Sequence, residues 1–168
     1  MRPQALILMI LLLILSCQNS KRSELEKEND VFEQSFSDYK ELAILKDYQK
    51  VTDTSYIKNG MEPTHRITHF RKNEKNLILL SSITFDDNYQ EVLLPLDTLK
   101  IPNLEQDTYI TIGYCEMSNM LPEEIIAIVE KTDRDTIQKV MRAWKADYSK
   151  SEIEEIQDIE DIICLNQG

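Results

Sequence analysis

Histidine is scarce in this sequence: there are two in 168 residues, His65 and His69, both in one short segment. That leaves no material for a histidine-based metal cluster, or for a Cys-His-Asn set drawing its base from elsewhere. Cysteine is nearly as rare, with three and no CxxC pair, so the thioredoxin-like redox motif is absent. Three glycines and five prolines are too few for a linker-rich or low-complexity chain, and no internal repeat is present. GxSxG, P-loop, GxGxxG and SxxK patterns are all missing. Positive charge is short as well: 19 Lys+Arg against 30 Asp+Glu give a formal net charge of −11. A surface of that sign repels nucleic acid and anionic headgroups, so DNA, RNA and lipopolysaccharide phosphates are poor partners. Acidity of this kind ordinarily serves solubility; a basic partner or a cation is the other reading.

What is present begins with an apolar run. Arg2 supplies a positive flank, and Ala5 to Leu15 is an unbroken apolar stretch of 11 residues ending in Ser16-Cys17. The length suits the central region of a secretory signal. As a helix it would reach only about 16 Å, roughly half the ~30 Å hydrocarbon core of a bilayer. Ile14-Leu15-Ser16-Cys17 resembles the lipobox of bacterial lipoproteins, with Ile14 where that family most often has leucine. The resemblance implies cleavage between Ser16 and Cys17 and lipidation of Cys17, with palmitate as the natural label. At about 0.8 kcal/mol per buried methylene, several acyl chains on one cysteine make attachment effectively permanent. Gln18 comes after the cysteine, whereas Asp there favours inner-membrane retention in the family; an outer-membrane location is therefore expected over an inner one. An ordinary signal peptide with an incidental cysteine, and an uncleaved anchor, are the alternatives.

Removal of residues 1–16 leaves 168 − 16 = 152 residues, enough for one domain with a real core. The expected organisation is a signal peptide at 1–16, a lipidated cysteine and polar tether at 17–30, and one domain at 31–168. Gln18 to Asn29 is too polar to bury a core alone. With Cys17 lipidated, Cys115 and Cys164 remain as an even pair in an oxidising compartment. A structural disulfide and two buried reduced thiols both fit.

Along the domain, Asp30 and Glu33 have capping-box spacing, and Phe32, Phe36, Tyr39 and Ala43 recur at helical intervals, which predicts a helix from about Val31 to Lys46. Residues 47–64 are ambiguous, with a turn signal at Asn59-Gly60. Strands are predicted at Arg66–Lys72, Leu77–Phe85 and Tyr89–Leu96, the last at a sheet edge or cut short because Pro95 has no N–H to donate. Asp97 to Asp107 reads as a loop. Thr108–Cys115 alternates like a half-buried strand, while Ile125–Val129 is wholly apolar, like a central strand covered on both faces. Ile137, Val140, Met141, Trp144 and Tyr148 fall at i, i+3, i+4, i+7, i+11, predicting an amphipathic helix with Trp144 as its main packing residue. Ile159–Leu165 closes the chain as a strand carrying Cys164, which could meet Cys115 if it lies beside the Thr108 strand. The expected fold class is therefore α+β: a largely antiparallel sheet of five or six strands, an N-terminal helix, and a late helix packed on one face. The last ~60 residues also resemble small uncharacterised lipoproteins of bacteria with an outer membrane, in which a tryptophan-bearing helix precedes a closing strand with a cysteine. That resemblance implies a fold and no activity.

Chemistry is harder to assemble. His65 and His69 have a zinc-ligand spacing for a helix, but their flanks read extended, which sets them about 13 Å apart at ~3.3 Å per residue. Two surface histidines is the plainer reading. Glu152, Glu154, Glu155, Asp158, Glu160 and Asp161 lack the order of an EF-hand loop, and Ile153, Ile156 and Ile159 at intervals of three suggest a short helix with solvated carboxylates. Asp86-Asp87-Asn88 is turn chemistry. No catalytic residue, metal site or cofactor is predicted. The leading expectation is a non-catalytic binding or accessory domain of the cell envelope, held at the membrane through Cys17, with its protein partner open. The runner-up is an inhibitor or immunity-type protein using an acidic surface against a basic partner. A small hydrolase drawing on His65 or His69 with a distant serine comes third.

Overall fold

Past residue 48 the chain is dominated by runs of Val, Ile, Leu, Thr and Tyr, residues whose branched or flat side chains suit a pleated surface. The computed structural model describes residues 32, 34–57, 60, 62–118 and 120–167, and in them those runs form eleven strands in three antiparallel sheets. The first sheet is a meander of β1 (Gln49–Ile57), β2 (Pro63–Lys72), β3 (Lys75–Phe85) and β4 (Glu91–Ile101). A two-residue turn at Asn73-Glu74, with Asn73 at φ 55°, joins β2 to β3. Asp86 shapes the β3–β4 turn: its Oδ1 accepts from the N–H groups of Asn88 (2.8 Å) and Gln90 (2.9 Å).

The second sheet takes β5 (Thr108–Ile112), β7 (Ile125–Glu130), β9 (Val140–Asp147) and β10 (Glu152–Ile156) in the order β10-β9-β7-β5. A small third sheet has β11 (Ile163–Leu165) between the two-residue strands β6 (Cys115–Glu116) and β8 (Thr136–Ile137).

Alternation along these strands feeds three apolar layers. Ile67, Ile78 and Leu80 of the first sheet meet Ile112, Ile126 and Trp144 of the second, making a β-sandwich. Leu77, Leu79, Ile83 and Phe70 point from the opposite face of the first sheet and are covered by Phe36, Leu42 and Leu45. Ile125, Ala127 and Val129 leave the outer face of the second sheet and are covered by Ile137, Ile162 and the two cysteines. Strand β7 thus feeds two cores at once, which explains its unbroken apolar sequence.

The α+β expectation is corrected to an all-β one: among the described residues the only helical pieces are 3-10 turns at Tyr39–Glu41 and Pro122–Glu124. The stretch with the Trp144 stripe is β8 and β9 rather than a helix. Its two faces serve different cores, Trp144 and Ala146 the sandwich and Ala143 the third-sheet layer, and only a strand presents both. In place of the Val31–Lys46 helix, residues 36–48 cross the first sheet as turns around the Tyr39–Glu41 piece. A capping box exists there, but it is Asp38 with Glu41; the Asp30–Glu33 pair lies outside the described residues, as does Asn59 of the Asn59-Gly60 turn. The short helix suggested by Ile153 and Ile156 is strand β10. Pro95 does lie on an edge strand, yet β4 continues to Ile101 through a register slip opposite Leu80 and Ser81.

Two local devices join the sheets. Gly113 ends β5 at φ 79°, and a Cβ built there would lie 3.1 Å from Thr54 Oγ1 of β1, so conformation and close approach both favour glycine. At the other edge, Asp97 of β4 accepts the Ile153 N–H of β10 on its Oδ2 at 2.7 Å, and the Thr98 N–H on Oδ1 at 2.7 Å. The Ile153 group is an edge-strand donor with no neighbouring strand to receive it.

Candidate functional site

Cys115 and Cys164 are directly opposite each other in the β6–β11 pairing, with Cα atoms 3.9 Å apart, and they form a disulfide. Both are fully buried, facing the apolar layer beneath the third sheet. The bridge spans 49 positions of sequence, so a strand near the C-terminal end is fixed to the middle of the chain.

Fixing that strand also places Asn166, the residue after Leu165. Its side-chain amide donates to the carbonyls of Thr132 (2.7 Å) and Arg134 (3.0 Å), and its backbone N–H donates to Asp135 O at 2.9 Å. Tyr109 Oη of β5 donates to Asn166 Oδ1 at 3.4 Å. One asparagine therefore holds the β7–β8 connection against the end of the second sheet. The connection borders two open clefts. One, of about 700 Å³, is lined by Tyr109, Lys131, Asp133, Asp135, Asn166 and Gln167; the other, of about 370 Å³, lies between Arg134, Gln138 and the Glu130–Lys139 ion pair (2.7 Å). Burial pushes the Tyr109 phenol above its ordinary pKa, so it is a hydroxyl donor here and not a phenolate nucleophile. Mixed charge, a phenol and amides can bind a polar group; they hold no nucleophile paired with a base.

The histidines do not converge. Both lie on β2 in extended backbone. His65 is half-buried in an aromatic group: Tyr148 stacks on Tyr56 at 4.3 Å between ring centres and sits 4.9 Å from His65, while Tyr148 Oη donates to Glu123 O at 2.9 Å. Burial, then the nearby Glu124 and Glu123 charges, raise the Tyr148 pKa, so this phenol stays protonated. Through Tyr148 the cluster packs against the sandwich core. His69 corrects the expectation of two surface histidines: it is buried on the same face of β2 as Ile67, its Nε2–H donates to Asn76 Oδ1 at 2.9 Å, and its Nδ1 has no partner. Burial lowers its pKa, with Arg71 adding to the effect and the Asn76 bond opposing it. The acidic run is divided between structure and solvent. Glu154 pairs with Lys150 and Glu155 with Arg142, each at 2.7 Å, whereas Glu160 and Asp161 form no ion pair with another described residue. Among the described residues no three metal-ligating side chains come together. Ser16 and Cys17 lie outside the described residues.

Tyr109 and Asn166 were not singled out by sequence reasoning. Their role depends on the closing strand's return beside β6, and only the Cys115–Cys164 parity hinted at that. No protein-family model, curated protein or solved structure matches the chain.

Proposed function

We propose that this chain is a lipid-anchored protein of the cell envelope, whose β-sandwich acts by binding or as an accessory and not by catalysis. The observation that carries the reading is the apolar run Ala5–Leu15 closing on Ser16-Cys17 behind a positive flank. Its support is the Cys115–Cys164 bridge, a kind of crosslink that persists in oxidising compartments and is rare in the reducing cytosol. The binding surface is the end of the molecule built around that bridge, where Asn166 orders the β7–β8 connection and the 700 Å³ cleft opens. Gln18 favours the outer membrane over the inner.

Feeding cells labelled palmitate and fractionating their membranes tests the anchor. The parent protein should carry label and sediment with membranes, and Cys17→Ala should do neither. A Cys17→Ala protein that labels and fractionates like the parent overturns the proposal.

A further inference from the structure

The outward face of the third sheet does not look like a solvated surface. Antiparallel sheets with one wet face alternate apolar-in and polar-out, but β11 is apolar on both sides. Cys164 points into the core, while Ile163 and Leu165 point outward and are each 51 % exposed. Tyr114, whose carbonyl accepts the Leu165 N–H at 2.8 Å, lies beside them at 45 % exposed. Glu116 is opposite Ile163 in the register, and Glu160 and Asp161 lie on the approach to β11. These three carboxylates have no ion-pair partner among the described residues, so their charge beside the apolar trio is left for a partner of opposite sign. An apolar centre with an aromatic beside it and uncompensated charge at its rim is the anatomy of a recognition surface.

We infer that Tyr114, Ile163 and Leu165, rimmed by Glu116, Glu160 and Asp161, form the docking surface for a basic protein segment that alternates cationic and apolar side chains. This rests on the reading of the chain as a binding protein and names the partner's chemistry. The carboxylates steer and orient the segment, and the apolar trio supplies the contact that slows its release. A bilayer is the wrong occupant for this charge, and a second copy would set acid against acid.

The test uses the full-length lipidated chain in phosphatidylcholine nanodiscs, with empty nanodiscs as background. Three labelled dodecapeptides, alternating Lys-Val, Lys-Ser and Glu-Val, are followed by fluorescence anisotropy. The Lys-Val peptide should bind at least tenfold more tightly than the other two. Ile163→Ser/Leu165→Ser should weaken it at least tenfold, and Glu116→Gln/Glu160→Gln/Asp161→Asn should weaken it and flatten its salt dependence. Val51→Ser, an exposed apolar site on β1, should change nothing. Tyr114→Ser provides a second apolar variant, and unchanged Trp144 fluorescence checks the fold in each. Equal binding of Lys-Val and Lys-Ser overturns the inference, as does parent-like binding by the double serine variant. A photo-crosslinker at position 165 that captures lipid or a second copy instead of the peptide overturns it too. The Cys17→Ala chain in solution separates the two proposals: if the anchor reading fails, peptide binding on β11 remains measurable.

Discussion

Removing the disulfide should cost this protein a large share of its stability, and the size of the loss depends on where the bridge sits. Cys115 and Cys164 close a loop of 49 positions. The chain-entropy relation for a loop of that length gives about 14 cal/mol/K, or roughly 4 kcal/mol at 25 °C. Against a total stability of about 5–15 kcal/mol, that is a substantial loss. The structure also says where the damage concentrates. Strand β11 has three residues and pairs with two strands of two residues each, so few hydrogen bonds hold it once the crosslink is gone. The Asn166 bonds to Thr132 and Arg134 should loosen with it. The assay is urea unfolding of the parent and of Cys115→Ala/Cys164→Ala, followed by Trp144 fluorescence. With a slope of about 2 kcal/mol/M, the midpoint should fall by about 2 M. Amide exchange should quicken first at 163–166 and 131–135. A midpoint within about 0.3 M of the parent would refute the reasoning, because the bridge would then constrain nothing that unfolding releases.

Trp144→Ala removes the largest side chain of the sandwich core and should cost about 3–5 kcal/mol in urea unfolding followed by far-ultraviolet circular dichroism, since the variant lacks the single tryptophan of the chain. Asp97→Ala leaves the Ile153 edge N–H without its acceptor and should cost about 1–3 kcal/mol; sedimentation should show new self-association, and a monomer of parent stability would count against the edge-sealing role. His69 should give a pH signature. Burial lowers its pKa in the folded chain, so the unfolded chain binds the extra proton as pH drops below about 6.5. Stability should be level above that pH and decline below it until the folded imidazole protonates. His69→Gln should flatten this window in denaturation curves between pH 5 and 8. Asp147 acts lower down: the Ser149 hydroxyl bond holds its carboxyl down to about 2, so its contribution is present above the usual carboxylate pKa and lost as pH falls towards 2.

Much of the strand content was legible because it rests on one period. Leu77 to Phe85 and Ile125 to Val129 could be read directly, and Pro95 marked an edge. The helices were misjudged for a physical reason. A strand feeding two cores loses its clean alternation, and the remaining apolar positions in 137–148 happen to fall three and four apart. Nothing local in that stretch separates the two periods. Strand β1 was missed in the opposite way: QKVTDTSYI has Val, Thr, Tyr and Ile of high strand propensity, but as a polar edge it lacks the apolar alternation that announces a strand. The cysteine pair was within reach because parity restricts it: with Cys17 set aside, Cys115 and Cys164 are the two that remain. The Asn166 arrangement was not, since it joins residues 109, 132–135 and 166 through a register that no short window contains.

The central claim, an exported chain moored by Cys17 and bridged inside, is tested most directly by the intact mass of the protein recovered from its own cells, measured with and without thiol alkylation. The account predicts a chain beginning at Cys17, heavier by its acyl groups, whose Cys115 and Cys164 react with no alkylating agent until they are reduced. A chain still carrying Met1, unacylated and with those two thiols free to react once denatured, would contradict it.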